Sequence, residues 1–516
     1  MKEKQLQEKI NGTIWTACDT LRSSIPGGNY KDYALTMLFV KYLSDTYKAE
    51  KAKAEEKYNG NKQMVERMLD RINFRLNEEC TFDYLYDNRD ADNIGELINK
   101  ALETISRLNG TKLRNLFAGV DFNSETTFGN MKEKNAILRT LLNDFHNPDI
   151  DLSPSKVGKL DIIGNAYEYL IARFAGDSGK KGGEFYTPSE VSQLLAKLVE
   201  PKENDRIYDP ACGSGSLLLK AASEVKDKKV SVYGQESNSS TYNLCRMNMF
   251  LHKVNDAHIA WGDTLANPLH LKDDDLMHFD VIVSNPPFSL DKWAKGFETD
   301  STTVIKNGKK INTFKMEAEL DPFKRFKYGV PPKSIGDYAF IQHMLKSLAD
   351  NGRMAVVLPH GTLFRGASEE VIRRGILEDN LIDTVIGLPE NLFYGVSIPA
   401  TIVVFKKNRK NNDVLFIEAS REYEKGKNQN KLLKENIDKI VDTYVNRKEI
   451  DKYSHIATLE EIRDNEYNLN IKRYVDIYEP EPEVDVKETK RKIEETNKEL
   501  AILEQQLQDI LKELGV

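Results

Sequence analysis

The sequence predicts an α/β fold in which an all-helical N-terminal domain precedes a central sheet and a helical tail follows it. Three observations support this prediction. A strand, a glycine turn and a helix follow one another between Arg206 and Ala222, and further strands and helices alternate after them. Apolar residues before residue 150 recur at helical spacing. From Ile493 to Leu514 they recur in alternating steps of three and four.

Length and composition limit the possible classes of protein. A chain of 516 residues favours several domains, which we place at 1–150, 155–475 and 483–516. Charged residues make up 30% of the chain, and no apolar run approaches the roughly 20 residues of a membrane span, so we expect no membrane partner. The four cysteines lack CxxC spacing, which favours a cytoplasmic protein without disulfides or a metal site.

Helical periodicity covers the N-terminal domain. Apolar faces run from Leu6 to Leu21 and from Leu35 to Leu43, and further helices are predicted at 94–108 and 132–145. No candidate catalytic pattern stands out in this region, so we interpret it as a packing domain. The turn-rich stretch at 147–155 is the predicted domain boundary.

Two motifs lie near the first predicted strand of the sheet. The first, Glu184-Phe185-Tyr186-Thr187-Pro188-Ser189, precedes a helix that Thr187 or Ser189 is predicted to cap. The second is the glycine turn Asp209-Pro210-Ala211-Cys212-Gly213-Ser214-Gly215-Ser216. This turn lacks the Lys-Ser/Thr of a phosphate-binding loop, and Leu218 stands where a dinucleotide-binding turn has its third glycine.

Four successive predicted strands end in polar residues, namely Asp209, Glu236, Asp263 and Asn285. Because helices separate these strands, we expect a parallel sheet with right-handed crossovers. The carboxyl ends then meet at one edge, where open α/β sheets bind their ligands. Further strands are predicted at 353–359, 382–387 and 401–405.

The fourth strand ends in Asn285-Pro286-Pro287-Phe288. The two prolines restrict the backbone and remove two N–H donors, which leaves the Asn285 amide and nearby carbonyls available to another group. Phe288 adds a flat apolar surface. An amide oxygen, a carbonyl and a ring together can hold a planar group that carries an NH2.

Two later regions do not follow the alternation of strands and helices: the stretch 290–336 and the C-terminal tail. The charged stretch from Leu290 to Gly336 follows the Asn285 strand, and we interpret it as a lid, a substrate-side loop or a tolerated insertion. In the tail, a narrow apolar seam of about three heptads favours packing against another helix over folding back on the protein. The seam residues are Ile493, Thr496, Leu500, Leu503, Leu507, Ile510 and Leu514.

The ordered set of motifs resembles the S-adenosylmethionine-dependent amino-methyltransferases of DNA. Within them it is similar to the modification (M) subunits of Type I restriction-modification systems, which methylate adenine at N6. The Phe-Tyr-Thr-Pro segment before the glycine turn and the later Asn-Pro-Pro-Phe carry this resemblance, together with the stretch 351–366. The resemblance implies a Rossmann-like methyltransferase sheet and S-adenosylmethionine as the cofactor.

The resemblance also implies roles for individual residues. Asn285, Pro286, Pro287 and Phe288 are the expected catalytic residues. The expected cofactor-binding residues are Glu184, Phe185, Tyr186, Thr187, Pro188, Ser189, Asp209, Ala211, Gly213, Ser214, Gly215, Ser216, Glu236 and Asp263. Among them, Glu236 suits the ribose hydroxyls and Asp263 suits either the adenine amine of the cofactor or a helix cap.

Other targets and roles stay open on the residues alone. Asn-Pro-Pro followed by an aromatic residue also suits RNA adenine, cytosine N4 or a protein glutamine. A catalytically idle scaffold subunit is the remaining alternative, although it would have no need of the acidic residues and Asn285.

The net charge of −7 bears on partners, because proteins that grip DNA alone are usually basic. We find no module for reading base sequence, no helicase motif and no nuclease cluster. The resemblance implies double-stranded DNA, a specificity (S) subunit shared by two M subunits, and motor-nuclease restriction (R) subunits. We expect the tail to contribute to holding the S subunit.

Overall fold

The computed structural model describes residues 2–25, 30–154, 161–178, 186–295, 297, 300–306, 309–315, 320–395, 397–427, 429–478 and 486–514. The predicted cofactor residues Glu184 and Phe185 lie outside these ranges. The chain divides into two compact units, Met1–Val475 and Asp476–Val516. No described helix combines the length and apolarity that a membrane span requires.

The described part of the N-terminal region contains helices and turns, as predicted. The helices are α1 (Lys2–Ser24), α2 (Tyr30–Lys57), α3 (Lys62–Leu69), α4 (Phe82–Asp87), α5 (Ile94–Leu108), α6 (Glu125–Phe128) and α7 (Met131–Phe145). Local sequence explains the start of α7, where Asn130 and Glu133 form a reciprocal capping box. The apolar core of these helices also includes Leu170 and Leu244, which belong to later helices, so the first two predicted domains share one core.

The catalytic region alternates strands and helices. Its helices are α8 (Ile162–Asp177), α9 (Ser189–Val199), α10 (Ser216–Ser223), α11 (Ser239–Leu251), α12 (Asp337–Lys346), α13 (Ser368–Glu378), α14 (Lys434–Val445) and α15 (Leu459–Asp464). Its strands are β1 (Arg206–Asp209), β2 (Ser231–Glu236), β3 (His258–Trp261), β4 (Leu271–Lys272), β5 (Asp275–Leu276), β6 (Phe279–Ser284), β7 (Asp300–Lys306), β8 (Lys309–Lys315), β9 (Leu348–Pro359), β10 (Ile382–Gly387), β11 (Ala400–Lys406), β12 (Val414–Glu418) and β13 (Ser454–Ala457).

Nine of these strands form one sheet in the order β13-β12-β10-β11-β9-β6-β1-β2-β3. The five strands from β3 to β9 are parallel, as predicted. The prediction of a parallel sheet is wrong for β11, which is antiparallel to both β9 and β10, and for β13, which is antiparallel to β12. Strands β10 and β12 are parallel. Parallel neighbours require a long crossover, and the stretch between β10 and β11 contains no described helix.

The segment between Leu290 and Gly336 is anchored at its base. Its ends are joined by a hydrogen bond from the Gly336 N–H to the Leu290 carbonyl. Arg325 is buried, pairs with Asp321 at 2.8 Å and donates to the Leu265 carbonyl at 2.8 Å. Between these anchors, β7 and β8 form an antiparallel hairpin. The roles as a lid, a substrate-side loop or a tolerated insertion stay predictions.

The second compact unit contains one long helix, α16 (Val486–Glu513). This matches the predicted helical tail. The seam residues Ile493, Leu500, Leu503, Leu507, Ile510 and Leu514 are each more than half exposed. Their role in contacting another subunit stays a prediction.

Candidate active site

Strand order places β1 and β6 at the point where the chain reverses its direction across the sheet. From β1 the chain proceeds to β2 and β3 on one side, and β6 then pairs with β1 on the other side. Such a switch point opens a crevice beyond the carboxyl ends of the strands. Here Ser284 Oγ donates a 2.8 Å hydrogen bond to Asp209 Oδ1 and ties the two strand ends together. The last residues of both strands therefore border one crevice.

The glycine turn after β1 is held by short contacts. Asp209 Oδ1 accepts the Ala211 N–H at 3.0 Å, and the hydroxyls of Ser214 and Ser216 lie 3.1 Å apart. Gly215 has φ +79°, and a Cβ there would lie 2.6 Å from Met249 Cε. A residue with a side chain would therefore be strained and crowded at this position.

Glu236 ends β2 and joins the same crevice. Its Oε2 accepts the Gly213 N–H at 3.0 Å, and its Oε1 accepts the Asn238 N–H at 2.7 Å. Burial raises the pKa of Glu236, while the N–H donors oppose that shift. A carboxylate has about four acceptor sites, so Glu236 keeps acceptor capacity for a ligand.

Asp263 follows β3, and its Oδ1 accepts the N–H groups of Leu265 at 2.9 Å and Ala266 at 3.2 Å. These hydrogen bonds stabilise a turn, and no helix begins at Asp263, so the helix cap considered from the sequence is wrong. Asp263 also lines the cavity described below. Its binding to a cofactor amine stays a prediction.

Asn285 lies directly after β6, and its amide contacts the segment before α9. The Nδ2 group donates to Thr187 Oγ1 at 3.1 Å. The Oδ1 atom is buried and has no hydrogen-bond partner. Neither Thr187 nor Ser189 caps α9: the cap position is Pro188, and no side chain makes a capping hydrogen bond. The predicted cap is therefore wrong, because Thr187 turns its hydroxyl towards Asn285.

The remaining residues of the motif are packed beside the sheet. Pro286 is buried, and Pro287 and Phe288 are half-buried. The Phe288 ring lies edge-on to Phe393, with ring centroids 6.0 Å apart. Stacking of a substrate on Phe288 stays a prediction.

A cavity of about 860 Å³ opens beside these residues. It is lined from the sheet edge by Glu236, Asp263, Asn285 and Pro287, among others. A narrow cleft, lined by Tyr186, Thr187, Asp209, Ala211, Gly213, Ser214 and Ser216, adjoins it, since Ala211 and Asn285 border both. The structure thus brings the described candidate residues of four strand ends together.

The N-terminal domain also contributes to the cavity. Arg22, Tyr30, Lys31 and Asp32 line it, and Ser240 Oγ at the start of α11 donates to Asp32 Oδ1 at 2.9 Å. The interpretation of this domain as packing alone is therefore incomplete. Sequence reasoning missed these residues because a charged pair in an amphipathic helix resembles any solvated surface.

Asp209 predicts a dependence of stability on pH. Burial, with a smaller contribution from the charge of Glu236, raises its pKa to about 7. Between the ordinary carboxyl pKa and this value, the folded protein holds a proton that the unfolded chain has released. The free energy of unfolding therefore falls as the pH rises through that window.

Asp209→Asn should remove this penalty, because an amide keeps an acceptor oxygen for Ala211 and Ser284 without a charge to bury. We expect its melting temperature to exceed that of the wild type by roughly a few degrees at pH 8, and the difference to narrow towards pH 5.5. Thermal unfolding across this range measures it, with Asp274→Asn on the surface as the control. A difference that stays constant with pH would contradict the assignment.

Comparison with known proteins identifies the family. The family model for N-6 DNA Methylase matches residues 158–483, and that for the HsdM N-terminal domain matches residues 10–145. The Type I restriction enzyme MpnII methylase subunit of Mycoplasma pneumoniae is 32% identical over 100% of this chain and 98% of its own length. The MjaVIII methylase subunit of Methanocaldococcus jannaschii is 34% identical over 96% of this chain and 82% of its own length.

Solved structures agree with these sequence matches. The crystal structure of the type I restriction-modification system methyltransferase subunit from Streptococcus thermophilus superposes with a TM-score of 0.79 at 36% identity. The match covers 91% of this chain and 100% of that one. The α/β fold with a helical N-terminal domain is therefore confirmed. The chain belongs to the N-6 DNA methylase family, among the methylase subunits of type I restriction enzymes.

Proposed function

We propose that this chain transfers a methyl group from S-adenosylmethionine to N6 of an adenine that has been flipped out of double-stranded DNA. The observation that carries the proposal is the buried, unpartnered Oδ1 of Asn285 beside the cavity. A buried acceptor without a partner costs about 1–3 kcal/mol. A substrate N–H that occupies this position would remove the cost during the reaction.

The cavity suits the proposed cofactor. Four carboxylates (Asp32, Asp177, Glu236 and Asp263) and two cationic side chains (Arg22 and Lys31) line its described surface. This acidic balance favours a ligand with more positive than negative charge, which S-adenosylmethionine is. When bound, S-adenosylmethionine supplies an electrophilic methyl group. Glu236 would accept the ribose hydroxyls, and the glycine turn allows close approach of the methionine part.

Asn285 and Pro286 would activate the target amine. Its nitrogen is a poor nucleophile because the lone pair is delocalised into the adenine ring. If Asn285 Oδ1 and the Pro286 carbonyl accept its two N–H groups, the nitrogen becomes pyramidal and its lone pair points at the methyl group. The same acceptors stabilise the positive charge that develops on nitrogen as the N–C bond forms and the methyl–sulfur bond breaks. The methylated nitrogen then carries a positive charge and releases one proton to water, which restores the neutral amine.

The target base reaches this position only outside the helix. A base inside a duplex cannot present its amine to a buried acceptor, so the nucleotide must be extruded. Phe288 is the proposed surface for the extruded ring. DNA recognition by sequence would come from an S subunit held between two copies of this chain, and restriction from additional R subunits.

Glu236→Gln tests the cofactor site. The substituted amide would face the N–H groups of Gly213 and Asn238 with an NH2 group, so one hydrogen bond and the negative charge are lost. We expect S-adenosylmethionine affinity to fall about tenfold to a hundredfold. Calorimetry measures this affinity. Glu203→Gln, which alters an exposed acid paired with Lys229, is the matched control and should bind like the wild type.

An unchanged dissociation constant for Glu236→Gln would contradict the proposed place of the ribose.

A comparison of methyl transfer to DNA, RNA and protein tests which class of molecule is the target. Radiolabelled cofactor should label DNA, and neither RNA nor protein, when the chain is purified with its specificity subunit. Label in RNA or protein instead would favour the alternative targets.

A further inference from the structure

We propose that Thr187 is a positioning residue whose hydroxyl fixes the side-chain amide of Asn285 for catalysis. This role differs from cofactor binding, which the sequence motif around Thr187 suggested. The inference rests on the proposed function of Asn285. Its starting point is the 3.1 Å hydrogen bond from Asn285 Nδ2 to Thr187 Oγ1.

The hydrogen bond engages one end of the Asn285 amide and leaves the other end available. Nδ2 is engaged by Thr187, and Oδ1 is the buried atom without a partner. Rotation of the amide by half a turn would exchange the two ends and present an N–H donor to the target. A donor there would face the N–H groups of adenine and repel them. With Thr187 Oγ1 accepting from Nδ2, as in this structure, Asn285 has the orientation that catalysis requires.

Thr187 is itself held firmly. It precedes Pro188, which restricts its backbone to extended conformations, and a β-branched side chain has few χ1 rotamers. Its carbonyl accepts the Ser192 hydroxyl at 3.5 Å, and Ser192 is buried in α9. The Thr187 hydroxyl thus has a defined position relative to the sheet. A fixed acceptor can orient a neighbouring amide, whereas a freely rotating one cannot.

Thr187 lies beside both Asn285 and the glycine turn, so kinetic measurements are needed to separate the positioning role from cofactor binding. Thr187 borders the narrow cleft between the glycine turn and Asn285, whereas it does not line the larger cavity that contains Glu236 and Asp263. A residue that orients Asn285 affects the transition state. A residue that binds the cofactor affects the dissociation constant. The two roles predict different kinetic changes.

Thr187→Val removes the hydroxyl and keeps the shape of the side chain. We expect kcat for DNA methylation by the complex with the specificity subunit to fall about tenfold to a hundredfold, while the dissociation constant for S-adenosylmethionine stays within twofold. Thr187→Ser keeps the hydroxyl and should restore kcat to within a few-fold of the wild type. Thr443→Val is the matched control, since its buried hydroxyl bonds only to the Lys439 carbonyl at 2.8 Å in a distant helix.

The outcomes separate the possibilities. Weaker cofactor binding with an unchanged kcat at saturation would overturn the inference and return Thr187 to the cofactor site. Wild-type kinetics for Thr187→Val would also overturn it. If valine lowers the melting temperature, Thr187→Ala measures the same loss without its bulk. Inactivity of the wild-type complex would instead contradict the proposed function, so the two failures are distinguishable.

Discussion

Asn285→Ala should lower kcat for adenine methylation by at least about a hundredfold while leaving S-adenosylmethionine binding within a few-fold of the wild type. The alanine removes the buried Oδ1 acceptor that the mechanism assigns to the target amine. It leaves intact the contacts of Glu236 and the glycine turn, which are made by other residues. Single-turnover methylation and calorimetry measure the two quantities on the same preparation.

Asn285→Asp is the informative companion to that variant. A carboxylate keeps acceptor oxygens for the target N–H groups, so more activity should remain than with alanine. The Thr187 hydroxyl can donate to it in place of accepting from the amide. Near-normal turnover of Asn285→Ala would refute the mechanism. Complete loss of methylation activity in both variants would show that an acceptor oxygen at position 285 is not sufficient for catalysis.

Removal of residues 483–516 should dissociate the chain from its specificity subunit and leave a folded, cofactor-binding protein. All described buried apolar residues lie at or before Val475, so the deletion removes none of the core. The seam residues of α16 are exposed, and burial of each leucine against a partner helix contributes about 1.5–3 kcal/mol. Size-exclusion chromatography of the mixed subunits measures the loss of the complex.

A pair of adjacent substitutions provides a finer test of the tail. Leu503 lies on the seam and Ile502 lies off it, and their side chains are exposed to nearly the same extent, 60% and 58%. Leu503→Ala should weaken the complex about tenfold or more, whereas Ile502→Ala should leave it nearly unchanged. Equal effects of both, or a complex that survives deletion of the tail, would contradict the assigned role.

The sequence predicted the parts of the fold that local patterns encode. Strand β10 has the predicted bounds 382–387, because the β-branched residues Ile382, Thr384, Val385 and Ile386 are followed by Gly387. Asp209, Glu236 and Asn285 were predicted to share an edge, since parallel strands separated by helices place their carboxyl ends together. The alternation of strands and helices along the chain was sufficient to predict that these three residues lie at one edge.

Features that depend on distant contacts were not predictable. Strand β11 pairs in antiparallel orientation with β9 and β10. Its sequence does not encode this orientation, because a buried strand has the same apolar pattern in a parallel and in an antiparallel pair. The contribution of Asp32 to the cavity arises from docking of α2 against α11. The Thr187 hydroxyl was assigned to a helix cap because Thr before Pro-Ser resembles a helix start, and the competing partner, Asn285, is 98 residues away.

Nucleoside analysis of methylated DNA tests the central claim most directly. DNA treated with the chain and its specificity subunit is digested to nucleosides, and methylated bases are identified by mass spectrometry for the wild type and Asn285→Ala. The account predicts N6-methyladenine from the wild type, and a yield at least about a hundredfold lower from the variant at equal cofactor occupancy. N4-methylcytosine as the product, or N6-methyladenine formed equally by Asn285→Ala, would contradict it.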